Sequence, residues 1–209
     1  MKTLKKVLAV SLVVVMLLAL ASCGKSDFQK FTDKTTGDKA SYKMTMKMNM
    51  GSMVVEVPVE VQGNVMHTTM EFLGESNEIY VEQTKDGAWS YSKDEDGKWY
   101  KVLLPADDEE IAAMESPVDP ENLKEEDFEL KDGKYVLKAD KLKDYDVASM
   151  TIEIKKNATE AVMEVKTAMS EEESILGGTV TYTITFSDFG KVSLTLPDAE
   201  VVTESEVED

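Results

Sequence analysis

The sequence predicts a mainly β protein, an antiparallel sheet of about 11–12 strands with two or three short covering helices. Three observations predict it. Apolar and polar residues alternate at period two through most of residues 40–200. Turn pairs such as Gly63-Asn64, Asp86-Gly87, Asp96-Gly97 and Asp132-Gly133 punctuate that alternation. The connections they make are too short for parallel crossovers, which favours an antiparallel meander.

At the start, Lys2, Lys5 and Lys6 flank an apolar run from Val7 to Ala21 that ends in small residues. Positive flank, short apolar stretch and small residues form a secretory signal over residues 1–22. Leu20-Ala21-Ser22-Cys23 resembles the lipobox of bacterial lipoproteins, in which the cysteine is acylated and becomes the new N-terminus. Cys23 is the only cysteine, so spending it on lipid leaves no disulfide, thiolate cluster or cysteine nucleophile. A diacylglycerol carries two chains, enough for stable anchoring, which places the protein on the outer, extracytoplasmic face of the cell membrane. No other cofactor is expected.

Residues 23–39 are polar apart from Phe28 and Phe31 and are expected to be a tether between the lipidated cysteine and the domain. The domain then runs over residues 40–200, about the size of one folding unit, and residues 201–209 are expected to be an acidic, disordered tail.

Strands are expected at 40–50, 53–62, 65–72, 78–84, 88–93, 98–104, 127–131, 134–138, 147–156, 160–170, 178–187 and 191–196. After Leu104-Pro105, the stretch ADDEEIAAMES has a cap at Asp107, a capping-box Glu110 and acids in its first turn, and is expected to be helical. DPENLKEEDF and ADKLKDY offer a turn or two more.

The first hairpin can be registered from Gly51-Ser52, a two-residue loop with glycine first. That pairs Met50 with Met53, Met48 with Val55, Met46 with Val57, Met44 with Val59 and Tyr42 with Val61, all apolar. The other face pairs Lys47 with Glu56 and Lys43 with Glu60. Taking Gly63-Asn64 as the next turn continues the apolar face onto Met66, Met70 and Phe72, and puts His67, the sole histidine, opposite Glu60 on the polar face. Pro58 lacks an N–H for the third strand, so a bend or bulge is expected beside it.

Met44, Met46, Met48 and Met50 therefore form one wall of an apolar face. Three uses are open to it: an adaptable hydrophobic cavity, an ordinary packed core, or an all-thioether Cu(I) site, since His67 points the other way.

Charge narrows the partners. The chain has 41 acidic against 23 basic residues, a net charge of −18 that becomes −21 without the three lysines of the signal segment, and no arginine. Such a surface repels nucleic acid and has no guanidinium clamp for phosphate. Catalytic parts are scarce: one histidine, no Gly-rich phosphate loop, no nucleophile elbow and no zinc spacing, so no enzyme activity is expected. Asp94, Asp96 and Gly97 match part of a calcium loop, but its first and last ligand positions fall on Ser92 and Leu103, which leaves a hairpin turn. Trp89, Tyr91, Trp99 and Tyr100 gather on the strands beside that turn, as core and rim packing or as the mouth of a site.

The C-terminal TYTITFSDFGKVSLTLPDAEV, with its D-F-G-K turn before a strand and proline, is similar to the closing hairpin of the LolA/LolB/LppX-like superfamily of envelope lipid carriers. The lipobox and the antiparallel meander broken by a helical insertion extend the resemblance. It implies that the antiparallel sheet is curved into an incomplete β-barrel, a half-barrel whose concave apolar face holds acyl chains or a lipid-linked molecule. Those carriers begin with a substantial helix, for which residues 24–39 look too polar and short.

Together these readings give a lipid-anchored half-barrel that binds a lipid or other hydrophobic molecule in a cavity lined by Met44, Met46, Met48, Met50, Val55, Val57, Met66, Met70 and Phe72. The alternatives are an envelope interaction or sensor module with a self-filled core, and a Cu(I)-binding lipoprotein. No protein partner is nominated by the sequence.

Overall fold

The hairpin registered from Gly51-Ser52 lies at the middle of the sheet. A computed structural model describes residues 24–50, 53–72, 75–105, 118–168 and 179–203. These form one open sheet of twelve strands. They are β1 (Ser41–Met50), β2 (Met53–Gln62), β3 (Val65–Phe72), β4 (Glu75–Thr84), β5 (Gly87–Lys93), β6 (Trp99–Leu104), β7 (Phe128–Lys131), β8 (Lys134–Leu137), β9 (Ser149–Ile154), β10 (Ala161–Ala168), β11 (Thr179–Ser187) and β12 (Glu200–Val201).

Across the sheet the order is β12-β6-β5-β4-β3-β2-β1-β11-β10-β9-β8-β7. Two antiparallel meanders, β1 to β6 and β7 to β11, are joined where β1 pairs with β11. The β1–β2 register is the expected one, Met50 opposite Met53 through Tyr42 opposite Val61. Lys43 reaches Glu60 across it at 2.7 Å. The β2–β3 ladder pairs Val61 with Met66 and Glu60 with His67, then stops at Val59–Thr68, beside Pro58. Thr68 Oγ1 donates to the Pro58 carbonyl at 2.7 Å. A strand residue without an N–H ends the regular pairing there. The register counted from Gly63-Asn64 would go on to pair Val57 with Met70 and Val55 with Phe72, and these pairs are not part of the ladder.

One face of the sheet is apolar across β1, β11, β10 and β9. Met46, Ile184, Met163 and Ile152 stand in one row, and Met44, Phe186, Ala161 and Ile154 in the next. Phe186, Ile184, Met163, Ala161 and Ile152 are wholly buried.

What buries them corrects the tether. Asp27–Thr35 is an α-helix, α1, the only one among the described residues. Ser26 caps it, its Oγ accepting the Gln29 N–H at 3.1 Å, while Asp27 and Lys34 match the two ends of the dipole. Phe28, Phe31 and Thr35, at i, i+3 and i+7, face the sheet and are buried. Phe31 meets Phe186 edge-on at 5.1 Å, and Phe28 lies against Phe128 at 5.2 Å and Tyr135 at 5.1 Å. Polar contacts pin the helix to the β9–β10 turn, with Lys34 Nζ on the Ala158 carbonyl at 2.7 Å and the Asn157 N–H on Asp27 at 3.1 Å.

Three further expectations change. Residues 191–196 are not a strand: the D-F-G-K turn, with Asp188 and Gly190 at positive φ, directs the chain along the rim of the sheet. There the Gly190 N–H donates to the Ser41 carbonyl and the Leu194 N–H to Gln62 Oε1. Glu200 and Val201 then pair in parallel with Tyr100 and Lys101, so the tail begins later than residue 201, and residues 204–209 lie outside the described ones. The short helices expected within DPENLKEEDF and ADKLKDY are single 3-10 turns, Pro120–Asn122, Glu125–Asp127 and Ala139–Lys141. The helix expected over ADDEEIAAMES lies outside the described residues.

Candidate functional site: the apolar face

The nine residues expected to line a cavity fall into three groups. Met44 and Met46 are core, 7% and 9% exposed, in one buried cluster with Phe28, Phe31 and Phe186. Met48, Val57 and Met66 are half-buried and Val55 is 38% exposed. The side chains of Met50, Met70 and Phe72 lie outside the described ones, as does Cys23.

The division follows from the helix. Nine residues rise about 13.5 Å, and α1 spends that length against Phe128 of β7, Tyr135 of β8 and Phe186 of β11, in one buried cluster with Met44 and Met46 of β1. The other half of the apolar face, over β2 to β6, carries a smaller buried cluster of Val81, Ala88, Val102 and Leu104, flanked by the part-buried Met66, Ile79 and Tyr100. Met66 touches both clusters.

Between them opens a cleft of about 450 Å³, bordered by Tyr42, Met44, Val61 and Met66 on the sheet, Thr35 at the end of α1, Ala40 just before β1, and residues 119–122. Its base is apolar and its mouth polar. Burial, with the nearby charges of Asp119 and Glu121, pushes the Tyr42 hydroxyl up to about 12, so the phenol is neutral across physiological pH. A larger cleft of about 790 Å³ is lined mostly by charged side chains, Asp119, Glu126, Asp127, Asp144, Asp146, Lys124 and Lys141, with Val118 and Tyr145 among them. Its buried Asp127 is already held by the Tyr145 hydroxyl at 2.9 Å and by Lys141 at 3.5 Å.

His67 lies on the opposite, polar face, away from the methionines. Its ring stacks on Tyr80 at 4.4 Å, and its two nitrogens meet Glu60 and Glu78, each at 3.2 Å. Lys43 and Lys93 hold those two carboxyls below their usual range. The aromatic group is cross-strand packing on this same face: Lys101 lies over Trp89 and Tyr91, Lys93 over Trp99, and Tyr91 is buried with its hydroxyl on Glu82. Tyr100 alone of the four turns to the apolar face. Asp94 accepts the Lys98 N–H at 2.8 Å and closes a hairpin turn rather than a calcium loop. Among the described residues no three His, Cys, Asp or Glu side chains converge on a metal position.

Sequence reasoning missed Phe28 and Phe31, which divide the face into filled and open halves. The signal was present: Ser26 as cap, apolar residues at i and i+3, and Gly37 beyond the last turn. Two apolar residues in nine fall below what a periodicity window registers.

No family model matches the chain, and no curated protein matches it.

Proposed function

We propose that this protein is a lipoprotein, held by a diacylated Cys23 on the outer face of the cell membrane, that binds a lipid or other hydrophobic molecule on the open half of its apolar face. The single observation carrying the reading is that division. Met44 and Met46 are sealed under α1, while Met48, Val55, Val57 and Met66 continue the same face with their side chains partly in water. Apolar surface left accessible beside a cleft is what a hydrophobic ligand would cover, at about 25 cal/mol per Å² buried. Methionine repacks easily, so ligands of different shape would be accepted. The resemblance to LolA-like carriers agrees with this use, and within it the sheet is a half-barrel whose concave side is the ligand side. The protein is non-catalytic in this reading.

Native mass spectrometry of the chain from residue 24 onward tests it. Co-purifying lipid, or uptake of a fluorescent fatty acid competed by unlabelled lipid, is the expected result. A clean apo mass with no uptake overturns it and leaves the second reading, an envelope interaction module filled by its own side chains, which the burial of Met44 and Met46 favours. Cys23→Ala should abolish incorporation of labelled palmitate in cells, and continued incorporation would remove the anchor.

A further inference from the structure

We infer that the anchor holds the domain with its apolar face toward the bilayer, so that the open half of that face and the tip of the β1–β2 hairpin contact the outer leaflet. This rests on lipidation of Cys23, and it sharpens the ligand reading by naming the lipid surface as the partner of that face.

Leash length comes first. Ser26 caps a docked helix and also donates to Glu125 at 2.9 Å. Lys25 is itself paired to Asp33 of α1. Cys23 is three residues before Ser26, and fully extended chain spans at most about 3.6 Å per residue, so the acylated residue lies within roughly 11 Å of the helix cap. Sixteen free residues would have let the domain turn any side to the membrane. Three do not.

The exit point comes second. α1 lies on the apolar face, its first turn against Phe128 and Tyr135 of β7 and β8 and its middle against Phe186 of β11. The leash therefore leaves on the apolar side of the sheet. From β8 to β1 is four strand spacings, about 19 Å, and the hairpin end at Met50–Met53 lies six residues, about 20 Å, along β1 from the Met44–Phe186 row under α1. The tip is therefore roughly 28 Å from the helix start in the plane of the sheet, and it reaches the leaflet only if that whole face is held against it.

Charge and exposure come third. Met53 is 58% exposed, Val54 54% and Val55 38%, apolar residues at the hairpin end on both faces of the strand. In a chain with 41 acids, residues 48–55 carry no charge, and the nearest charged residues of β1, Lys43 and Lys47, are paired with Glu60 and Glu56 on the polar face. An uncharged, exposed apolar tip is the part of this acidic surface that a leaflet of anionic headgroups does not repel.

The test uses the full-length, lipidated protein in vesicles of phosphatidylethanolamine and phosphatidylglycerol. With Cys23 acylated, an introduced cysteine is the only free thiol. A fluorophore at Met53→Cys, on the hairpin tip, is compared with one at Glu153→Cys, exposed on the polar face of β9. The acceptor is a dye carried on lipid headgroups, too bulky to enter the cleft. Energy transfer several-fold stronger at residue 53 is expected. Inserting about 20 Gly/Ser residues after Gly24, a mean reach of roughly 25 Å, should bring the two sites to similar values while leaving fatty-acid uptake unchanged. Equal transfer at both sites without the insertion, or stronger transfer at residue 153, overturns the orientation. Fatty-acid uptake is read separately on each variant, so an oriented protein that takes up no lipid refutes the binding function and leaves the orientation standing.

Discussion

Replacing Phe31 by alanine removes the side chain that seals the middle of α1 onto the sheet. Phe31 is wholly buried between Phe186 at 5.1 Å and Phe189 at 6.4 Å. Truncating a buried phenylalanine costs about 3–5 kcal/mol. A nine-residue helix has no stability of its own, so weakening its seat also loosens Phe28 and uncovers Met44 and Met46. With a urea dependence of about 2 kcal/mol per M for a domain of this size, the unfolding midpoint should fall by about 2 M. Binding of an environment-sensitive dye by the native state should rise as the second half of the apolar face opens. Gln29→Ala, on the exposed side of the same helix, should leave both readings unchanged. A midpoint shift for Phe31→Ala below about 0.5 M, near 1 kcal/mol on the same scale, would mean that residues 24–39 are the tether their polarity first suggests.

Gly87→Ala should be far more damaging than Gly97→Ala in a thermal melt. A Cβ at Gly87 would lie 2.1 Å from the Leu104 carbonyl oxygen, with φ at 137°, whereas Gly97 opens onto solvent at φ 77° and should cost only the left-handed penalty of about 1–2 kcal/mol. Stability should decline as pH falls below about 4.5, because Glu60 and Glu78 have lowered values in the fold through Lys43 and Lys93, and that contribution is lost as the carboxyls protonate; Glu60→Gln with Glu78→Gln should flatten the acid limb of a urea-midpoint profile. At the alkaline end, burial raises Tyr42 and Tyr91 to about 12. Their contribution is complete below pH 10 and is lost as pH climbs toward 12, so phenolate absorbance should show two late-ionising tyrosines accompanied by unfolding. Met46→Ala should cost about 2–5 kcal/mol of stability while fatty-acid uptake survives, and Val57→Asp should do the reverse; equal effects on uptake would contradict the division of the face.

Most of the strand content is legible in the sequence because period-two alternation bounded by Gly-Asn and Asp-Gly pairs is local. The β1–β2 register is legible for a stronger reason: a slip by one residue would bring Lys43 and Lys47 onto the apolar side. Which of the methionines are core is not legible. That depends on a long-range pairing, β1 with β11, and on a helix whose only apolar anchors are Phe28 and Phe31.

The error at residues 191–196 has a physical cause that reaches the whole topology. A strand there, folded back from β11 through the D-F-G-K turn, would need a free edge on β11. None exists, since β10 occupies one side and β1 the other. The alternation of Val192, Leu194 and Leu196 with Ser193, Thr195 and Pro197 instead serves a strap: the apolar residues turn half-inward along the rim while Ser193 and Thr195 stay in water. Ser41, the first residue of β1, binds the strap twice, its carbonyl taking the Gly190 N–H and its hydroxyl donating to the Val192 carbonyl at 3.0 Å. The strap ends at the far edge, where β12 covers β6 and Lys98 pairs with Glu200. A sheet that does not close must still manage its outer strands. Here the C-terminal segment shields one edge with two residues, while at the other edge β7 is only four residues long and carries Glu129 and Lys131. The alternation that looks like a twelfth strand is the route by which the chain crosses from its central pair to the β6 edge.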